Sequence, residues 1–81
     1  MNHVNILKRY VLRALLRADS MNEEALLDVC RQLMPAMLAS DFSQAVEELE
    51  KDGFCIGARD ELDASVAWAL TTKGELRAKQ L

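Results

Sequence analysis

An α+β domain is expected from three features of this 81-residue chain. Apolar residues recur at helical spacing through its first half. Two later segments alternate with period two around a polar connection, and a threonine-headed helical start closes the chain. Eighty-one residues suffice for one small domain and not for two, so residues 1–81 are read as a single unit. With 51% apolar and 28% charged residues, the composition is that of an ordered globule.

The first helix is expected from Val4 to Arg17, where Val4, Leu7, Val11, Ala14 and Leu15 share one face, and Asp19-Ser20 breaks it. Ser20 or Asn22 caps the second helix. Ser20-Met21-Asn22-Glu23 has capping-box spacing, Glu23 and Glu24 suit a helix N-terminus, and the period runs from Leu26 to Met34 before Pro35. After the turn Pro35 to Ala39, Ser40 is the expected cap of a third helix whose stripe is Phe42, Ala45, Val46 and Leu49. Gly53 ends that helix. Phe54, Ile56 and Ala58 then alternate with Cys55, Gly57 and Arg59, and Val66, Trp68 and Leu70 alternate with alanines across the polar connection Asp60 to Ala64. These two segments read as a two-stranded hairpin. Thr72-x-x-Glu75 repeats the capping-box spacing and opens a short helix through Leu76 toward Leu81.

The segment Val46-Glu-Glu-Leu-Glu-Lys-Asp-Gly-Phe54, the hairpin, and Leu70-Thr-Thr-Lys-Gly74 together resemble winged-helix regulators of the MarR and PadR type. In that family a recognition helix ends at a glycine and a wing returns into an LT-x-x-G-like turn. The resemblance covers nearly the whole chain and implies a winged helix-turn-helix: a three-helix core, a two-stranded wing and a short C-terminal helix. It also implies that the third helix enters the DNA major groove while the wing grips the adjacent backbone. By position, Ser43, Gln44, Glu47, Glu48 and Lys51 would face the groove, with Arg59 on the wing. Ser43, Gln44, Lys51 and Arg59 are the candidate DNA-facing residues.

Charge argues against that transfer. Most free energy of duplex binding comes from Lys and Arg displacing counterions from phosphates. Residues 41–63 carry eight acids against Lys51 and Arg59, a formal charge of −6 in a chain of net charge −3. Gln44 is the one good base reader there. Asp41, Glu47, Glu48, Asp60, Glu61 and Asp63 form the candidate acidic docking face. The candidate basic face lies elsewhere, with Lys8, Arg9, Arg13 and Arg17 in the first helix and Lys73, Arg77 and Lys79 near the end. Such a charge dipole can contact phosphates in an unusual docking mode, or pair with the acidic face of another copy. Basic side chains four apart also commonly cover a helix flank with no partner.

Leu12 and Leu16 lie four apart beside Asn5, Arg9 and Arg13, off the main stripe. Either the last helix covers them through Leu76 and Leu81, or they form a homodimer seam through the first helix. Trp68 reads as a core anchor, and Tyr10 as an amphipathic edge residue. Met34 and Met37 fill the irregular turn around Pro35. Cys30 lies on the stripe Leu26, Val29, Cys30 and Leu33 and behaves as a small hydrophobe. Cys55 lies opposite Phe54 and Ile56, which predicts a half-exposed, oxidisable thiol.

No enzymatic function is expected, since the one histidine is His3 and no nucleophile sits in a recognisable motif. Two cysteines 25 residues apart and Asp60-Glu61-x-Asp63 supply neither a zinc nor a calcium spacing, and no glycine-rich phosphate loop is present. No cofactor is therefore expected. No run approaches the roughly 18 apolar residues of a membrane span, and the basic start of the chain lacks a signal-peptide core. A cytoplasmic location follows, with both cysteines reduced. The resemblance puts a DNA-binding transcription regulator first. The alternative is a protein-interaction winged helix whose acidic third helix and wing dock a basic partner.

Overall fold

The helix at the start of the chain, α1 (His3–Ala18), turns Val4, Leu7, Val11 and Leu15 onto one stripe, and all four are buried. The computed structural model describes residues 3–81. After α1 come β1 (Ser20–Asn22), α2 (Glu23–Leu33), α3 (Ala39–Lys51), β2 (Cys55–Arg59), β3 (Val66–Leu70) and α4 (Thr72–Lys79). The result is an α+β domain with four helices and a three-stranded antiparallel sheet of order β1-β3-β2. α1 is its hub and packs against α2, α3, α4 and β3. Leu26 and Cys30 of α2, Phe42, Ala45, Val46 and Leu49 of α3, and Val66 and Trp68 of β3 complete the core around it.

The expected hairpin is present, but it is two strands of three. β1 was not expected: Ser20, Met21 and Asn22 pair with Ala69, Trp68 and Ala67 along the open edge of β3. Asp19, at φ +64°, reverses the chain between α1 and this strand. Ser20 is therefore a strand residue. Asn22 caps α2, its side-chain oxygen accepting the Ala25 N–H at 2.8 Å.

Three further expectations need correction. Ser40 does not cap α3, because the helix already includes Ala39 and its N-cap is Leu38, whose N–H donates to Asp41 Oδ2 at 3.1 Å. Leu38 has no side-chain acceptor for the first turn, so the Asp41 N–H donates to Leu38 O at 3.0 Å while the Asp41 carboxylate accepts the Leu38 N–H. Thr72 does not cap α4 either; Thr71 does, with Oγ1 accepting the Gly74 N–H at 3.1 Å. Finally, Cys55 is not half-exposed. It is 1% exposed, and Ile56 is the residue turned outward, at 58%. Partners across an antiparallel pair share a sheet face, and Gly57 lies opposite Trp68 with Cys55 opposite Leu70. Once Trp68 faces the core, Cys55 and Gly57 must follow.

The segments that carry the family resemblance form one knot. α3 ends in a Schellman arrangement: Phe54 N–H donates to Leu49 O at 2.8 Å and Gly53 N–H to Glu50 O at 3.0 Å, with Gly53 at φ +82°. Thr71 then binds both residues that leave the helix, its Oγ1 donating to Gly53 O at 2.6 Å and its N–H to Phe54 O at 3.1 Å. Lys73 Nζ donates to Asp52 O at 2.7 Å and stands 4.5 Å from the centroid of the Phe54 ring. Gly74 packs so closely on Phe54 O that a Cβ would collide with it.

Candidate functional site

The outward side of α3 is what remains after Phe42, Ala45, Val46 and Leu49 turn inward. Ser43, Gln44, Glu47, Glu50 and Lys51 are exposed, and Glu48 is half-buried at the flank nearest α1. Lys8 reaches across from α1 and donates to Glu48 Oε1 at 2.7 Å, while Gln44 Nε2 donates to Glu48 Oε2 at 2.8 Å. The hydrogen bond from Lys8, then that from Gln44, holds the Glu48 carboxyl below its ordinary pKa. The residue expected to read bases is thus engaged in a charge-assisted hydrogen bond on its own helix. Lys51 and Arg59 remain exposed.

The acids divide into two groups. On the helix, Asp41 caps the first turn and lies 3.8 Å from His3 Nδ1, Glu48 pairs with Lys8, and Glu50 Oε2 accepts the Gly57 N–H of β2 at 3.1 Å. At the hairpin tip, Asp60 Oδ1 accepts the Leu62 N–H at 2.8 Å and Asp63 Oδ1 accepts the Ser65 N–H at 2.9 Å. The hydrogen bonds from Ser65 hold the Asp63 carboxyl below its ordinary value. Glu47 and Glu61 are exposed. The tip carries Leu62, 97% exposed between Glu61 and Asp63, which the sequence reading passed over as part of a polar connection. Its signal was present: one large apolar residue inside an acidic turn.

Of the basic residues, Lys8, Arg9 and Arg77 border one groove between α1 and α4. Lys8 is paired with Glu48, and Lys73 belongs to the knot between α3 and α4. Arg77 Nη1 donates to Gln80 Oε1 at 3.2 Å and borders that shallow groove with Arg9, Leu12 and Leu81. Lys79 is exposed. Arg9, Arg13 and Arg17 follow one another along the exposed crest of α1. On the far side of that crest, Arg13 and Arg17 border a second groove, between α1, β1 and α2, of about 410 Å³.

Leu12 is 4% exposed and Leu16 is half-buried against the core. α4 packs on α1, with Ala78 buried in the core and Leu81, just beyond the helix, beside Leu12, whereas Leu76, expected to help, is 60% exposed. Cys30 and Cys55 are free, buried thiols whose pKa is pushed up to about 11, by burial alone for Cys30 and by burial then the Glu50 charge for Cys55. Among the described residues no three metal-ligating side chains gather, and no helix is long and apolar enough to cross a membrane.

In comparisons with known proteins, no family model matches the chain, and no curated protein or solved structure matches it significantly.

Proposed function

We propose that this chain is a regulatory module on a winged-helix scaffold that docks a basic protein surface through the acidic side of α3 and the β2–β3 hairpin. One observation carries the reading. The helix expected to enter a DNA groove presents Glu47, Glu48 and Glu50 against Lys51, with its Gln44 amide held by Glu48. The hairpin end adds Asp60, Glu61 and Asp63 against Arg59. Phosphate clamps are what hold a reading helix in register, and this surface offers two cations among six acids. A protein surface rich in Lys and Arg is its electrostatic complement, and such complementarity speeds encounter and suppresses wrong partners.

A DNA-binding regulator is the second reading, and the crest of α1 favours it. Arg9, Arg13 and Arg17 are exposed four residues apart, with no ion pair among the described residues. Duplex would then dock on α1 rather than on α3.

Fluorescence anisotropy separates the two. Labelled lysine- and arginine-rich peptide and labelled random duplex are each titrated at about 50 and about 200 mM salt, the range over which phosphate contacts reveal themselves. The docking module binds the peptide, more weakly at the higher salt, and loses several-fold affinity in Glu47→Gln with Glu61→Gln. Duplex binding that collapses between the two salts, with no binding of the peptide, overturns it in favour of the regulator.

A further inference from the structure

The hairpin tip and the α1–α2 groove are opposite in shape and in charge. At the tip, Leu62 stands 97% exposed between Glu61 and Asp63. The loop that presents it is already ordered: Asp60 N–H donates to Ser65 O at 2.8 Å, Ala64 N–H donates to Asp60 O at 3.0 Å, and the Asp60 and Asp63 carboxylates accept the Leu62 and Ser65 N–H groups. A pre-formed loop loses little conformational entropy on docking. The groove is lined by Ala14, Met21, Val29 and Leu33, bordered by Arg13 and Arg17, and contains no carboxylate. Its volume of about 410 Å³ falls in the range that accepts small ligands, roughly 300–1,000 Å³.

We propose that these surfaces are the two halves of a head-to-tail contact between copies of this chain. Leu62 of one copy enters the α1–α2 groove of the next, with Glu61 and Asp63 facing Arg13 and Arg17. The exposed leucine supplies burial, and the acids beside it match a groove bordered by Arg13 and Arg17, which form no ion pair among the described residues. Such a contact is heterologous, so each copy keeps one free tip and one free groove, and assembly continues until a ring closes. One side chain and its flanks cover far less than the roughly 1,000 Å² of a stable interface, so the association is weak, with Kd on the order of 10⁻⁴ M. The inference goes beyond the proposed function: it shares Glu61 and Asp63 with that acidic surface, but a basic partner held there by charge needs neither Leu62 nor the groove.

Sedimentation velocity at about 10 and about 500 µM, at low salt, tests it. The wild-type chain is expected to gain mass with concentration. Leu62→Ser, and separately Arg13→Glu with Arg17→Glu, each cut association at least tenfold. These positions are exposed, so circular dichroism is expected to be unchanged. An equal mixture of the two variants pairs the intact groove of one with the intact tip of the other and stops at a 1:1 heterodimer. Leu62→Ser keeps its salt-sensitive binding of basic peptide, which separates failure of this contact from failure of the α3 reading. A wild-type chain that stays monomeric at about 500 µM, association that survives Leu62→Ser, or a mixture that stays monomeric overturns the proposal.

Discussion

Gly53 and Gly74 bracket the knot and are required for different reasons. Gly53 has φ +82° with open space around it, so Gly53→Ala pays only the left-handed backbone strain, about 1–2 kcal/mol. Gly74 sits inside a helix, where alanine would normally gain about 1 kcal/mol. Here the added methyl meets Phe54 O, and Phe54 cannot retreat without breaking its bond from Thr71 N–H. Gly74→Ala is therefore expected to cost about 3 kcal/mol, the upper part of the range for overpacking, and more than Gly53→Ala. Urea unfolding of the two variants checks the order. The buried thiols make a second residue-scale prediction. Both pKa values are raised to about 11 in the folded chain, so above about pH 9 the unfolded chain releases protons that the native chain retains. Stability is then expected to fall as pH rises from about 9 to about 11, with the slope reduced in Cys30→Ala with Cys55→Ala. The phase of Cys55 could have been found in the sequence by fixing Trp68 inward first. It was missed because Phe54, Ile56 and Ala58 make the more apolar of the two faces of that strand.

Thr71 ties the start of α4 to the α3–β2 connection, since its hydroxyl bonds both Gly53 O and Gly74 N–H and its N–H bonds Phe54 O. Thr71→Val keeps the shape and removes the hydroxyl. A lost cap costs about 1 kcal/mol, and the unpaired Gly53 carbonyl adds to it, so a loss of about 2 kcal/mol is expected in urea unfolding. Thr71→Ser should restore most of it. The helices were legible in the sequence because a stripe such as Phe42, Ala45, Val46 and Leu49 repeats locally. Their ends were less so. With two threonines in succession, only the end of β3 at Leu70 decides which one caps α4. The β1 strand was illegible for a different reason: Ser20, Met21 and Asn22 make too short an alternation to mark a strand, and they are extended because the edge of β3 is there to pair with them.

Across the whole molecule, the separation of charge was legible, since it needs only the positions of Asp, Glu, Lys and Arg in the chain. Their disposition was not. Lys8 pairs with Glu48 and Lys73 stands over the Phe54 ring, while Arg9, Arg13 and Arg17 line the exposed crest of α1. The α1–α2 groove was equally invisible, because Tyr10, Arg13, Ala14 and Arg17 meet Val29 and Leu33 only after the helices pack. The acids on the outward side of α3 and at the hairpin tip were named from sequence with the exception of Glu50. The leucine among them gained meaning only when its turn proved ordered and its side chain bare.

The central place of α1 has a consequence for biosynthesis. It precedes every other described element in translation, yet its covering partners α3, β3 and α4 follow some tens of residues later. At roughly 5–20 residues per second, the stripe Val4, Leu7, Val11 and Leu15 stays uncovered on the ribosome for several seconds. The last contacts to form are those of Thr71, Lys73 and Gly74 with the end of α3, so the core around α1 closes only once α4 is available. Until then that apolar stripe is open to chaperones.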